Sequence, residues 1–250
     1  VTGVQTCALP ILELTAPHDI LTKRIGEYLP EDPVLREMMV KSYDILKDHP
    51  VNIKRREEGK NPANSAWFWG AGTRPALTSF EKKNGVKGAM ISAVDLLKGI
   101  AVGAEMDNIT VEGANGGLDT NYAGKGRAAV KALTTDGYDF VYVHIEAPDE
   151  MGHQGSAENK ILAIERIDEM IVRPVVQAFR EAGIDYRMLI LPDHPTPVRV
   201  RTHTGDPVPY LLYDSTADVD GPDTYSEKTG AQTGIYVAEG YTLISRLLGK

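Results

Sequence analysis

The chain of 250 residues carries 27 Lys and Arg against 35 Asp and Glu, a formal charge of −8, with 42% hydrophobic and 25% charged residues. That length suits one large α/β domain or one and a half ordinary ones. The composition is globular, with enough apolar sequence for a real core, which excludes disordered, collagen-like and coiled-coil classes. No run of about 18 apolar residues is present to span a bilayer, and the first residues lack a charged region followed by an apolar one. The expectation is a soluble cytoplasmic protein with no membrane partner. Charges of both signs are interspersed, so nothing favours nucleic acid. An anionic substrate stays compatible with the acidic balance, because a metal ion or Arg cluster outweighs the net field within one cleft. The single cysteine, Cys7, excludes internal disulfides and a cysteine-based zinc site.

Residues 1–11 (VTGVQTCALPI) lack an initiator methionine and resemble translated sequencing-adapter read-through. They are set aside from fold reasoning; the alternative is a true strand and turn. After Leu12 the chain shows no repeats, low-complexity runs or long linkers. Asp32 and Pro33 open a predicted helix as N-cap and first-turn proline, with Leu35, Met38, Met39, Tyr43 and Leu46 as its apolar stripe, ending before Pro50. Strands are predicted over residues 66–69, 89–93, 109–112, 138–145, 187–192 and 210–213, with helical stretches between several of them. The continuous apolar runs at 140–143 and 188–191 suit central strands covered on both faces. The longest predicted helix runs from a Ser156 cap to about Glu181, with Ile161, Ile164, Ile167, Ile171 and Val175 on its buried face. Pro174 should bend it, and Gly183 lies near its stop. Strand, helix and strand then form a right-handed crossover, and the whole reads as a layered α/β fold with a largely parallel sheet. Ligands in such sheets sit beyond the carboxyl ends of the strands.

Both apolar strands run into residues that bind metals. The first leads to HIEAPDEMGHQG at 144–155, the second to DHPTP at 193–197, with His203 following; four of the six histidines lie here. Carboxylate and imidazole donors together suit zinc, manganese or iron. Asp149 with His153, and Asp193 with His194, can each supply a pair of ligands from a strand-end segment. A lone Asp or His in a loop is more often a cap or turn residue; the shared edge of five such residues points to a metal site.

These segments, with HTGDPVP at 203–209, NPANSAWFWG at 61–70, GAMISAVDLLKGI at 88–100 and NYAGK at 121–125, closely resemble the cofactor-independent (2,3-bisphosphoglycerate-independent) phosphoglycerate mutases of the archaeal type, in the alkaline phosphatase superfamily. The resemblance covers nearly everything after Leu12. It implies an isomerase of glycolysis that interconverts 3- and 2-phosphoglycerate through a phosphoserine intermediate. Two divalent metals are implied, manganese or zinc, with magnesium or cobalt admissible, and neither bisphosphoglycerate nor nucleotide. Carried over by motif, Asp149, His153 and His203 hold one metal, while Asp193 and His194 supply half the ligands of the other. A further Asp and the nucleophilic Ser belong to the family's N-terminal strand region, which is expected to be missing here together with most of an inserted domain. The implied organisation is non-native sequence at 1–11, the return from the inserted domain at 12–20, with Leu12–Thr15 entering the core, and the C-terminal part of a metal-binding phosphatase-like core at 21–250. As written, the chain is expected to be inactive.

His144 and Glu146 either orient ligands by hydrogen bonds or are structural strand-end residues. Arg74, Lys87, Lys98 and Lys125 are candidates for phosphate or carboxylate contact, though each alone fits a solvated surface charge better. The glycines at 70–72 lack the last glycine of a dinucleotide fingerprint, and those at 124–126 lack the upstream glycine and Ser/Thr of a phosphate-binding loop. Of Trp67 and Trp69, one ring is expected in the core and the other half-exposed near a cleft, rather than stacked on a ligand; His18 reads as a turn residue. Two other functions remain open: another phosphotransferase of the superfamily, of the kind labelled homoserine kinase, and a non-catalytic metal-stabilised binding protein. The oligomeric state is not legible.

Overall fold

The computed structural model describes residues 12–73, 75–217, 219 and 221–250. Residues 1–11, with Cys7, and Arg74 lie outside them. The chain divides into two compact units, one ending at Pro75 and the other running Ala76–Lys250.

In the first unit, the Asp32 carboxylate accepts from the amides of Val34 and Leu35 and so starts α1 (Pro33–Leu46). This satisfies two of the amides that a helix start leaves without partners. Met39 is buried and Leu35 and Leu46 are partly covered, but Met38 and Tyr43 are exposed, so the stripe is narrower than the predicted one. Leu35, Met39 and Leu46 share one helix face, and Met38 points about 100° away from Met39. Helix α2 (Pro50–Glu57) follows. Its buried Asn52 donates to the carbonyls of Leu46 and Ala63 and accepts from the Ala63 amide. Residues 66–69 are extended coil, not the predicted strand. The Ala66 amide is taken by the Ser42 hydroxyl and the Trp67 indole N–H by the Thr15 carbonyl, so side chains replace a strand ladder. Trp67 is half-buried and Trp69 exposed; His18 lies in the 3-10 turn Pro17–Ile20.

The second unit holds a parallel sheet of three strands in the order β2-β1-β3: β1 (Gly88–Ile91), β2 (Asp107–Asn108) and β3 (Phe140–Val143). The predicted strand at 109–112 is displaced to Asp107–Asn108. Strands β4 (Arg187–Ile190) and β5 (Leu211–Asp214) form a separate antiparallel pair. The crossover that was to make β3 and β4 neighbours therefore joins two different sheets. Of the strands among the described residues, only β1 is buried along its whole length; β3 and β4 are partly covered. Apolar runs reported the tendency to be buried, whereas the order of strands decided which one is flanked on both sides.

Helix α3 (Phe80–Asn84) precedes β1, and α4 (Asp95–Gly103) and α5 (Tyr122–Thr134) connect the parallel strands in turn. Beyond β3 come α6 (Ala147–Gln154) and α7 (Ala157–Ile167). A π-turn over Asp168–Val172 then leads into α8 (Arg173–Ala182), and α9 (Glu227–Gln232) and α10 (Leu243–Leu247) follow β5. The expected bend at Pro174 is thus a π-turn just before the proline, which absorbs its missing amide donor. The core gathers Tyr122, Ala147, Ala163, Ile171, Val175 and Phe179, with Ile145, Ile167, Tyr186 and Met188 packed on it. Ile161 and Ile164, predicted to be buried, are 57% and 52% exposed; Ala163 takes the inward position.

Phe179→Ala should cost about 3–5 kcal/mol, the usual range for truncating a buried Phe, whereas Ile161→Ala should change stability by no more than about 0.5 kcal/mol. Urea melts of both variants check the assignment, and equal losses would contradict it.

Candidate metal centre

Strand β3 delivers its residues directly to the site. The His144 amide donates to the Ile91 carbonyl and prolongs the ladder by one step. The chain then turns into α6, whose first turn carries Pro148, a residue suited to a position where no amide partner exists. Asp149 and His153 stand at i and i+4 and so share one helix face. Gly155 ends the helix in the left-handed conformation at φ 74°, and a Cβ there would lie 2.7 Å from the Arg201 guanidinium carbon. Beyond β4, hydrogen bonds from the Arg201 amide to the Pro197 carbonyl and from the Thr204 amide to the Pro195 carbonyl fold the segment back on α6. Arg201 itself sits at φ 59°, a strained value for a residue with a Cβ.

This fold brings Asp149, His153 and His203 together, with one ligand atom of each within 4.8 Å of the others. His153 Nε2 is 3.2 Å from His203 Nε2, and the Asp149 carboxylate is 3.3 Å from each imidazole. His153 Nδ1 lies 3.0 Å from the Arg201 carbonyl. A carbonyl only accepts, so Nδ1 carries the proton and Nε2 of the neutral ring presents a lone pair to the cluster. Donors bound to one ion at about 2.1 Å stand about 3.0–3.4 Å apart in tetrahedral or octahedral geometry; the His153–His203 spacing lies in that range, and of the Asp149 oxygens Oδ2 is 3.3 Å from His153 and Oδ1 3.3 Å from His203. The set of two imidazoles and one carboxylate, with an oriented ring, suits a divalent cation.

Asp193 and His194 lie beside this triad. The His194 ring is 3.7 Å from that of His203 between centroids, and its Nε2 is 3.5 Å from the Asp193 carboxylate. His144 contacts the Ser92 hydroxyl through Nδ1 at 3.3 Å; burial holds its pKa down, with the Asp193 charge opposing. Glu146 precedes α6, and burial first, then Glu150 and Asp149, push its carboxyl up, with Lys125 opposing.

The lysine candidates separate by position. Lys125 is fully buried on α5 and donates to the His144 carbonyl at 3.1 Å, so it braces the β3–α6 junction and is not the solvated surface charge that the sequence allows. Lys87 lies before β1, where its carbonyl receives the Phe140 amide, at the amino ends of the strands and away from the cluster. Lys98 pairs with Asp95 at 3.2 Å and lines a cavity of about 140 Å³ with Ser92, Asn108 and Thr110, beyond the carboxyl ends of β1 and β2. Sequence reasoning passed over Thr196, Lys160, Gly152 and Arg201. Thr196 stood inside the DHPTP segment, but only charged and imidazole groups were weighed there. Arg201 acts through its backbone carbonyl, for which side-chain chemistry gives no signal.

A family profile described as Metalloenzyme superfamily matches residues 25–238. A 2,3-bisphosphoglycerate-independent phosphoglycerate mutase of Methanosarcina mazei is 50% identical over 226 residues, 88% of this chain and 56% of that protein. A probable enzyme of the same name from Geobacter sulfurreducens is 45% identical over 243 residues, 96% of this chain and 60% of its own length. Among solved structures, the PH0037 protein of Pyrococcus horikoshii aligns with a TM-score of 0.64 and 35% identity, covering 80% of this chain and 51% of that one. The chain thus spans little more than half the length of these relatives.

Burial, opposed by the Glu146 charge, holds the Lys125 ammonium below the usual lysine range. Between that lowered value and the unfolded value of about 10.4, the unfolded chain binds more protons than the folded one, so this group makes stability rise with pH. Urea melts of the wild type and Lys125→Met at about pH 8 and about pH 10 should show the wild type gaining on the variant at the higher pH. Parallel pH responses would contradict the buried ammonium.

Proposed function

Because the chain belongs to the metalloenzyme superfamily, we propose that it forms the metal-binding part of a cofactor-independent phosphoglycerate mutase, interconverting 3- and 2-phosphoglycerate through a phosphoserine. The observation that carries this reading is the convergence of Asp149, His153 and His203 at the spacing one cation requires. The names of relatives from Methanosarcina mazei and Geobacter sulfurreducens support the substrate class.

In this reading Asp149, His153 and His203 hold one divalent ion, manganese or zinc, and Asp193 and His194 contribute to a second. Such ions, when bound, neutralise phosphoryl oxygens and lower the pKa of a nucleophilic hydroxyl. The chain's own residues set the stage for that chemistry. The Arg201 carbonyl holds the His153 Nδ1–H, so that the neutral ring aims the lone pair of Nε2 at the cluster. Lys125 fixes the strand end that leads into α6, and the half-buried Glu146 lies close enough to oppose its charge. In this reading the nucleophilic serine and a further carboxylate would come from residues outside this chain, which spans 56–60% of the length of these relatives. The second edge of β3, which has no strand partner among the described residues, and the 38% exposure of Tyr142, Leu211 and Leu212 support an added segment against these sheets.

A protein that carries this chain together with those residues should convert 3-phosphoglycerate to 2-phosphoglycerate without bisphosphoglycerate, and chelation should abolish the activity. His153→Ala or Asp149→Ala should reduce turnover by at least about 100-fold, because each removes a direct ligand. The 250-residue chain alone should bind metal but turn over no substrate. A restored protein that phosphorylates homoserine from ATP and ignores phosphoglycerates would replace the mutase reading with a kinase.

A further inference from the structure

The turn at Pro195–Pro197 has few bonds of its own. Its two prolines carry no amide proton. What closes the return towards Arg201 and His203 is a set of amides further on: Val200 and Arg201 donate to the Pro197 carbonyl, and Thr204 to the Pro195 carbonyl. Thr196, between the prolines, is 3% exposed. No main-chain amide takes its carbonyl among the described residues. A buried carbonyl left without a donor is costly, and here the donor comes from another helix: Lys160 Nζ of α7 at 2.7 Å.

That contact passes over Gly152, which is buried in α6. A Cβ at residue 152 would collide with the Thr196 carbonyl, lie 2.9 Å from Thr196 Cγ2 and 3.1 Å from Lys160 Nζ. Three groups therefore meet where α6 has no side chain. Gly152 stands three residues after Asp149, so its gap opens beside that carboxylate, and the Thr196 hydroxyl donates to it. The Asp149 and Glu227 charges favour the Lys160 ammonium against the burial that opposes it.

We propose that Lys160 is a positioning residue acting through the gap at Gly152: it seats the Pro195–Pro197 turn on α6. The seat sets the separation between the donors of α6, Asp149 and His153, and those of the returning segment, His203 with Asp193 and His194. Its consequence for metal binding rests on reading these groups as ligands, as in the proposed mutase; the seating itself does not. Bond lengths to one ion vary little, so a displacement of about 1 Å takes donors out of the spacing that an ion can bridge.

The test begins with amide hydrogen exchange in the metal-free 250-residue chain. Lys160→Met, which keeps the length and deletes the donor, and Gly152→Ala, which fills the gap, should each release the turn. The Arg201 and Thr204 amides should then exchange at least about 10-fold faster than in the wild type, with the β1 amides unchanged. Lys160→Arg, which keeps a donor, should stay near wild type. Zinc titration of the same proteins should show Lys160→Met and Gly152→Ala weakened by about 10-fold. Combining the two should cost no more than the worse single change, because both act at one joint. Removing a positive charge near Asp149 would by electrostatics alone tighten a cation, so weakening separates positioning from charge. Wild-type Arg201 and Thr204 amides that exchange as in an unfolded peptide overturn the proposal without any variant. Unchanged exchange in folded Lys160→Met overturns it, as does faster exchange with unchanged zinc affinity. Released amides in the variants of a wild type that binds no zinc would leave the seat standing and refute the metal reading of the site.

Discussion

One carboxylate and two imidazoles turned towards one another form the arrangement on which the site depends. The Asp149 carboxylate and the facing nitrogens of His153 and His203 stand 3.2–3.3 Å apart. Lone pairs at that spacing repel unless a proton or a cation stands between them, and the Arg201 carbonyl removes one protonation option by claiming the His153 Nδ1–H. Where no proton stands between them, the surrounding structure has to hold these groups against that repulsion. A divalent ion turns the same arrangement into a favourable one, and metal affinity and local stability are therefore linked.

The restraints come from backbone and lysine contacts more than from paired surface charges. Lys125 and Lys160 each reach a main-chain carbonyl, one at the end of β3 and one in the segment after β4. Burying a lysine is costly without compensation, and at Lys125 the His144 carbonyl and the nearby Glu146 charge supply it. A buried positive group also opposes the acidic crowding from Glu146, Glu150 and Asp149 at the start of α6. The left-handed Arg201 is the corresponding device on the other side, where backbone strain is retained in a segment that orients His153.

Both ligand-bearing segments follow strands, yet those strands are not partners. β3 closes a parallel sheet and β4 pairs with β5, while the core of Tyr122, Ile171, Val175 and Phe179 packs with residues next to both, Ile145 and Met188 among them. Convergence of the donors is thus a product of helix packing and of the return through Pro195–Pro197, not of a shared hydrogen-bond ladder. Gly152 and Thr196 mark where α6 and the returning segment meet.

Local sequence by itself determined which residues carry the chemistry and where most elements begin. Asp32 and Ser156 as helix caps, Gly155 and Gly183 as left-handed stops, and the apolar runs of β3 and β4 act over a few residues, so their signals are legible without a fold. The spacing of Asp149 and His153 places both on one helix face for the same reason. Tertiary structure decided what depends on contacts distant in sequence. At residues 66–69, where a strand was predicted, the Ala66 amide goes to the Ser42 hydroxyl and not to a neighbouring strand. Ile161 and Ile164 stayed exposed because Ala163 faces the core, a choice that helical periodicity alone leaves open. Lys125 looks from the sequence like any surface lysine, and Thr196 like any loop threonine. Their roles arise only when α5 passes under the end of β3 and Gly152 admits a neighbour, because a hydrogen bond's partner is fixed by geometry in space and not by residue type.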